Sequence, residues 1–133
     1  IIPDALRCLF SGKTLKLRSD GKYVRDYVYV DDIVEGYLKV AETLKKKSLA
    51  GESFNLSNES PITVIGLLRE ISQLNLCGKK LKFKVLDSAK YEIRKQYLSS
   101  VKAKKILRYS PAYCLRDGLR ETASWYLKYF RGL

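Results

Sequence analysis

The chain has 133 residues, of which 46% are hydrophobic, and this length suffices for one domain with a modest core. No apolar run is long enough for a membrane span, and the lack of histidine and of CxxC spacing argues against a zinc site. The net charge of +12 would suit an anionic partner, but the lysines of KKLKFKV alternate with apolar residues, which is typical of the solvent side of a strand, and we favour a solvated surface.

The first third of the chain predicts helix, strand, turn, strand and helix. The first helix begins near Pro3 and ends at Gly12, and TLKL follows as a short strand. SDGK predicts a turn in which Gly21 can adopt a positive φ, and YVRDYVYV predicts a strand because it is β-branched and aromatic. Asp31 or Asp32 is expected to cap the next helix. Its apolar positions form one face of the helix, which consists of Ile33, Val34, Tyr37, Leu38, Ala41 and Leu44.

The remaining elements alternate between strand and helix patterns. ESFNLS predicts a strand, residues 63–74 a helix capped by Thr63, and residues 81–86 an alternating strand. DSAKYEIRKQY has no clear period and is interpreted as a loop that could face a ligand. A helix follows Ser99 or Ser100, and the last helix covers about residues 115–130. The pattern predicts a small mixed α/β or α+β unit.

Catalytic and cofactor-binding motifs are nearly absent. The sequence has no GxGxxG or GxxxxGK[ST] loop, and without histidine it cannot form a Ser-His-Asp arrangement. Tyr91 and Lys95 satisfy the YxxxK spacing of short-chain dehydrogenases. They fall in a loop-like stretch rather than on a helix, so we interpret the match as chance.

Three segments in order carry a family resemblance: IPDALRCLFSGKTLKLRSDGKYVRDYVYVDDIVEGYL, GESFNLSNESPITVIGLLREI and YLSSVKAKKILRYSPAYCLRDGLRETASWYLKYF. Together they resemble the C-terminal part of extended short-chain dehydrogenases, the NAD(P)-dependent nucleotide-sugar epimerases and dehydratases. The forms LRSDGKYVRDYVYVDD, FNLSNE and EIRKQYLSS are most similar to the CDP-glucose 4,6-dehydratase branch.

The resemblance implies that residues 1–133 are a nucleotide-sugar-binding C-terminal region. The N-terminal Rossmann domain, with the NAD or NADP site and the catalytic Tyr and Lys, would then be missing, and the lack of any methionine agrees with this expectation. The resemblance also implies an enzyme of polysaccharide biosynthesis that is homodimeric at full length. Three cysteines without CxxC spacing fit a reducing, cytoplasmic setting, and we expect no nucleic-acid or membrane partner.

The same resemblance assigns roles to single residues. Arg25, in the family's R-D-[YF]-x-[YHF]-V-x-D motif, is implied to bind the substrate diphosphate, because its donors form a fixed fork. Glu92 stands where the family has the Asp of R-P-G-D, which bonds the ribose hydroxyls. The arginine of that motif, a second phosphate ligand in the family, is replaced by Ala89. The candidate substitutes for the missing arginine are Arg94 and Lys90.

Two further candidate residues lie at the end of the strand that precedes the arginine motif. Leu17 and Arg18 match family positions along the nucleotide base, and Arg18 could stack on the base, reach a phosphate or remain an exposed strand residue. For Arg25, the alternative is a surface ion pair with Asp26 or Asp20.

Three functions remain open from the sequence. The first is the substrate-binding part of a nucleotide-sugar 4,6-dehydratase, and the second is the same part of a 4-epimerase; both parents oxidise C4 of the hexose. The third is a small basic nucleic-acid-binding module, against which the tyrosines weigh, because Tyr37 and Tyr126 fall on apolar stripes. For either enzyme, we expect the 133 residues alone to be inactive and to expose apolar surface.

Overall fold

The computed structural model describes residues 1–44, 49–89 and 91–131, and these contain five helices and five short strands. The helices are α1 (Ile2–Ser11), α2 (Val30–Leu44), α3 (Val64–Gln73), α4 (Val101–Leu107) and α5 (Leu115–Arg131). The strands are β1 (Thr14–Leu17), β2 (Val24–Arg25), β3 (Ile62–Thr63), β4 (Lys82–Val85) and β5 (Lys95–Gln96). The mixed α/β class is confirmed. No helix in the described ranges has the length and hydrophobicity needed to cross a bilayer.

The strands form two small sheets. In one, β1 pairs in parallel with β4, with Leu15 opposite Phe83. In the other, β2 lies between antiparallel β3 and parallel β5. Because β2 sits in the middle of its sheet, both backbone edges of Arg25 are fixed by neighbouring strands.

In the N-terminal half, proline, glycine and threonine residues begin, end or cap the secondary-structure elements as predicted. The proline near the start of α1 occupies the first turn, and Gly12 ends the helix in the left-handed conformation, with φ of 70°. Gly21 also has a positive φ, of 77°, and a Cβ there would lie 2.6 Å from the side chain of Ile65. Thr63 caps α3, since its Oγ1 accepts the N–H of Gly66 at 3.0 Å. These elements fix the position of β1 and the turn that precedes β2.

The main core lies between α1, β1, α3 and α5. Its buried members are Ala5, Leu6, Leu9, Leu15, Leu17, Leu67, Leu68, Ile71, Leu81, Leu119 and Ala123. A second cluster forms around α4 from Leu49, Ala103, Leu107 and Tyr109. Tyr109 is fully enclosed there, as expected for the residue that replaces a family tryptophan.

Two predicted strands are wrong in extent. Within YVRDYVYV only Val24 and Arg25 are paired, and Val30 already begins α2. The segment 52–57, predicted as a strand, has no ladder partner among the described residues. Its β-rich composition favours pairing, but a strand needs a neighbour.

The predicted cap of α2 is also wrong, and most of the apolar face of this helix is exposed. The helix begins at Val30, before either aspartate, and Asp32 instead bonds a loop more than 70 residues away. Tyr37 is 72% exposed, and Val34, Leu38 and Leu44 are each more than half exposed. The side of α2 that packs on the chain is centred on Gly36, where a Cβ would lie 2.4 Å from Leu56.

Glu59 links the segment after residue 57 to the start of α4. Its carboxylate accepts hydrogen bonds from the Lys104 ammonium and from the N–H of Ser100, the latter at 2.9 Å. The bond from Lys104, followed by that from Ser100, lowers the pKa of Glu59 from 4.5 to about 2.

We therefore expect Glu59 to contribute to acid stability. Its folded pKa is depressed, so its contribution is fully present above about pH 4.5 and is lost as the pH falls toward 2. Glu59→Gln should flatten the fall in the free energy of unfolding over this window, measured by urea denaturation at successive pH values. Glu52→Gln, which removes the partner of another lysine, Lys102, is the control. Identical pH profiles for the wild type and Glu59→Gln would contradict the assignment.

Candidate functional site

An open cleft of about 480 Å³ runs between the end of β1 and β2. We call its apolar lining residues Leu15, Leu17 and Val64 the apolar floor, and charged side chains form much of the remaining lining. The lining residues are Ile1, Asp4, Leu15, Lys16, Leu17, Arg18, Ser19, Arg25, Asp26, Tyr27, Val64 and Glu92. The structure thus brings together Leu17, Arg18, Arg25 and Glu92, four of the five residues predicted from the sequence.

Arg25 is the least exposed of the cations that line this cleft. Its side chain is only 20% exposed, and Nη2 donates to Glu92 Oε1 at 2.9 Å. Nη1 donates to the Val24 carbonyl at 2.8 Å, and the guanidinium carbon lies 5.9 Å from the centre of the Tyr23 ring. The carboxylate that pairs with Arg25 is therefore Glu92, rather than the predicted Asp26 or Asp20. The Val24 carbonyl and the Glu92 carboxylate thus hold the Arg25 guanidinium in a fixed plane.

Asp26 has a positioning role that the sequence did not reveal. Its carboxylate accepts the hydroxyl of Ser57 and, at 3.3 Å, the N–H of Ser60. The Ser57 hydroxyl also lies 3.0 Å from the Leu98 carbonyl, and a proton donor can serve only one of these acceptors at a time. Asp26 thereby ties the backbone next to Arg25 to the segment that follows residue 56.

Asn58 completes this connection. Its amide nitrogen donates to the carbonyls of Tyr27 and Tyr113, at 3.4 and 3.2 Å. Burial raises the pKa of Tyr27, while the Arg25 charge opposes the rise, so this phenol is a neutral wall of the cleft near pH 7. The two bonds from Asn58 fix the backbone at Tyr27 and Tyr113.

The remaining sequence candidates lie elsewhere. Arg94 is exposed and does not line the cleft; its carbonyl accepts the N–H of Val24 at 2.8 Å. Lys90 lies outside the described residues. Tyr91 is fully exposed and Lys95 belongs to β5, so the YxxxK pair is not on a helix.

The cleft has the chemistry of a binding site for an anionic, hydroxyl-bearing ligand. A guanidinium fork offers paired donors to phosphate oxygens, and a carboxylate beside it accepts from hydroxyl groups. The apolar floor formed by Leu15, Leu17 and Val64 can cover a flat ring.

Residues 1–57 match the family model described as the NAD dependent epimerase/dehydratase family. The chain is 31% identical over 137 residues to UDP-glucuronate 4-epimerase 4 of Arabidopsis thaliana, and this match covers 93% of the chain and 31% of that protein.

Solved structures agree with this relationship. The crystal structure of UDP-glucuronic acid 4-epimerase from Bacillus cereus with UDP-glucuronic acid and NAD superposes with a TM-score of 0.86 and 25% identity. The dTDP-glucose 4,6-dehydratase of Bacillus anthracis, in complex with NAD, gives 0.76 and 26%. Each match covers 96% of this chain and 39% of the solved chain. The chain likewise spans about a third of the length of the curated relatives that it matches.

Proposed function

We propose that this chain is the nucleotide-sugar-binding region of an NAD-dependent nucleotide-sugar 4-epimerase or 4,6-dehydratase. The observation that carries the proposal is the cleft in which Arg25 and Glu92 stand side by side above an apolar floor. Residues 1–133 form the substrate region, and the NAD or NADP site belongs to another part of the parent protein. The cofactor, when bound, supplies hydride transfer at the hexose.

Ligand binding requires an exchange of partners at Arg25. Glu92 accepts a hydrogen bond from one nitrogen of the guanidinium. A diphosphate in the fork would release the Glu92 carboxylate, which could then accept the two hydroxyls of a ribose. Glu92 is 45% exposed, so it can reorient without unpacking the core.

A 4-epimerase is the better-supported of the two parent activities. The curated relatives include several UDP-glucuronate 4-epimerases, whereas a 4,6-dehydratase activity appears in a trifunctional enzyme and among the solved structures. The narrower sequence prediction of a CDP-glucose 4,6-dehydratase has no such support. We therefore favour a uridine diphosphate sugar as the ligand.

The exposed face of α2 is proposed to contact the cofactor-binding part. This face, Val30, Val34, Tyr37, Leu38 and Leu44, is at least half exposed at every position. Beside it lies an apolar groove of about 420 Å³ between α2 and residues 52–56. The extended segment 52–57 has strand composition but no ladder partner within the described part of the chain, and the NAD complexes that this chain matches continue well beyond the matched part. A further sheet strand supplied by that part would satisfy both features.

We expect the 133-residue chain to self-associate through this face. Apparent mass measured by light scattering should rise with protein concentration, and the double variant Tyr37→Glu with Leu38→Glu should lower it. Tyr91→Glu changes an equally exposed tyrosine outside the face and serves as the control. A wild-type chain that stays monomeric across the concentration range would count against the proposed contact.

Calorimetric titration tests the proposed function directly. The chain should bind UDP-glucuronic acid and UDP-glucose but not free glucuronic acid, and incubation with NAD+ should give no turnover. Saturable binding to a single-stranded RNA oligomer in the absence of nucleotide-sugar binding would overturn the proposal and favour a basic module. Turnover by protein free of any longer enzyme would contradict the placement of the catalytic groups elsewhere.

A further inference from the structure

Arg18 is held rigidly at the end of β1, although its side chain is exposed. Its carbonyl accepts the N–H groups of Ser88 and Ala89, at 2.6 and 2.9 Å. The hydroxyl of Ser88 lies 3.4 Å from the same carbonyl. The backbone of Arg18 is thereby fixed between β1 and the segment after β4, and the residue lines the same cleft as Arg25.

The carboxylates of the cleft are committed to other groups. Asp4 pairs with Arg7 at 3.3 Å, and Glu92 pairs with Arg25 at 2.9 Å. Asp26 accepts from the serines described above. Within the described ranges, no carboxylate lies within 4.0 Å of the Arg18 guanidinium. Arg18 therefore adds positive charge to the cleft that the surrounding protein does not neutralise.

The neighbouring segment offers few alternative donors for an anion. The N–H groups of Ser88 and Ala89 are both used by the Arg18 carbonyl, and the alanine side chain has no donor. A base, by contrast, can rest on the apolar floor of Leu15, Leu17 and Val64 without a cation above it. These two facts favour a phosphate contact for Arg18 over stacking.

We infer that Arg18 binds one phosphate group of a nucleoside diphosphate whose other phosphate is bound by Arg25. The inference rests on the proposed function and names the second cation of that site. A diphosphate diester carries two negative charges, and Arg25 must first exchange Glu92. Arg18 has no such partner to release, so it provides the charge that attracts and holds the diphosphate while Glu92 moves.

The test separates phosphate binding from base stacking. Wild type, Arg18→Ala, Arg18→Lys and Arg18→Phe are titrated with inorganic pyrophosphate, UDP, UMP and uridine. Arg18→Ala should weaken pyrophosphate and UDP binding about tenfold and leave uridine within about twofold, as expected for the loss of one charge-assisted contact. Arg18→Lys should recover part of the loss and Arg18→Phe none of it.

Arg69→Ala removes an exposed arginine on α3 that does not line this cleft, and it controls for net charge. Retention of UDP affinity by Arg18→Phe, with loss of uridine binding in Arg18→Ala, would overturn the inference in favour of stacking. Equal affinities in Arg18→Ala and Arg69→Ala would also overturn it. So would a loss of pyrophosphate binding confined to Lys16→Ala. A wild-type chain that binds no UDP would instead overturn the proposed function itself.

Discussion

Replacement of Arg25 by alanine should weaken nucleotide-sugar binding by roughly ten- to a hundredfold. A charge-assisted hydrogen bond contributes on the order of 1.5–3 kcal/mol, and tenfold in affinity corresponds to about 1.4 kcal/mol. The Arg25 side chain is 20% exposed, and its guanidinium is already oriented by Val24 and Glu92. Little further ordering is therefore needed when a phosphate binds. Arg25→Lys should recover only part of the loss, since an ammonium cannot form the fork.

Titration of UDP-glucuronic acid into the three proteins measures this effect. Arg69→Ala is the control for charge, and the far-ultraviolet circular dichroism of each variant controls for folding. Affinity unchanged in Arg25→Ala would reduce the Arg25–Glu92 contact to a surface ion pair, which is typically worth only about 0–1 kcal/mol.

Asp32→Ala should destabilise the fold by roughly 2–4 kcal/mol, because it leaves two backbone donors without their charged acceptor. Asp32 is 3% exposed, and its two carboxylate oxygens accept the N–H groups of Ala112 and Tyr113 at 2.7 and 3.3 Å. The same loop holds Tyr113 4.5 Å from Tyr29 and provides a carbonyl to Asn58. Loss of Asp32 should therefore loosen the backbone on which Asp26 and Arg25 are mounted.

Urea unfolding of Asp32→Ala and Asp31→Ala checks this expectation. Asp31 is the adjacent exposed carboxylate in the same first helical turn, and its loss should cost no more than about 1 kcal/mol. Asp32→Asn, which keeps one acceptor oxygen, should fall between the two. Similar midpoints for the Asp31 and Asp32 alanine variants would show that the link to residues 112–113 is weak.

The sequence was sufficient where a local rule or a contiguous motif determines the structure. Gly12, Gly21 and Thr63 act within one turn of chain, and all three behave as predicted. Arg25 and Arg18 were singled out by the family resemblance, and the structure places both in the lining of one cleft.

The sequence was insufficient where a side chain serves a distant partner. Asp32 resembles a helix cap, yet it bonds residues 80 and 81 positions away. Glu59 and Ser57 likewise act through α4 and the segment before it, and no local pattern marks such contacts. Glu92 was expected to bind the ribose hydroxyls, but in the structure its carboxylate pairs with Arg25.

The apolar face of α2 and the segment 52–57 differ from expectation for another reason. Their composition is typical of a buried helix face and of a paired strand. Among the described residues, however, the helix face is exposed and the segment has no ladder partner. Helical periodicity identifies an apolar face but not the surface that covers it, so an inward orientation could not be derived from the pattern alone.

Hydrogen–deuterium exchange of the 133-residue chain, with and without UDP-glucuronic acid, tests the central claim most directly. The nucleotide-sugar-binding account predicts that the ligand slows exchange in residues 15–19, in residues 25–27 and at Glu92, all of which line the cleft, and leaves α2 unchanged. Protection confined to the lysine-bearing strand β4 or to α2, with none around Arg25, would contradict it.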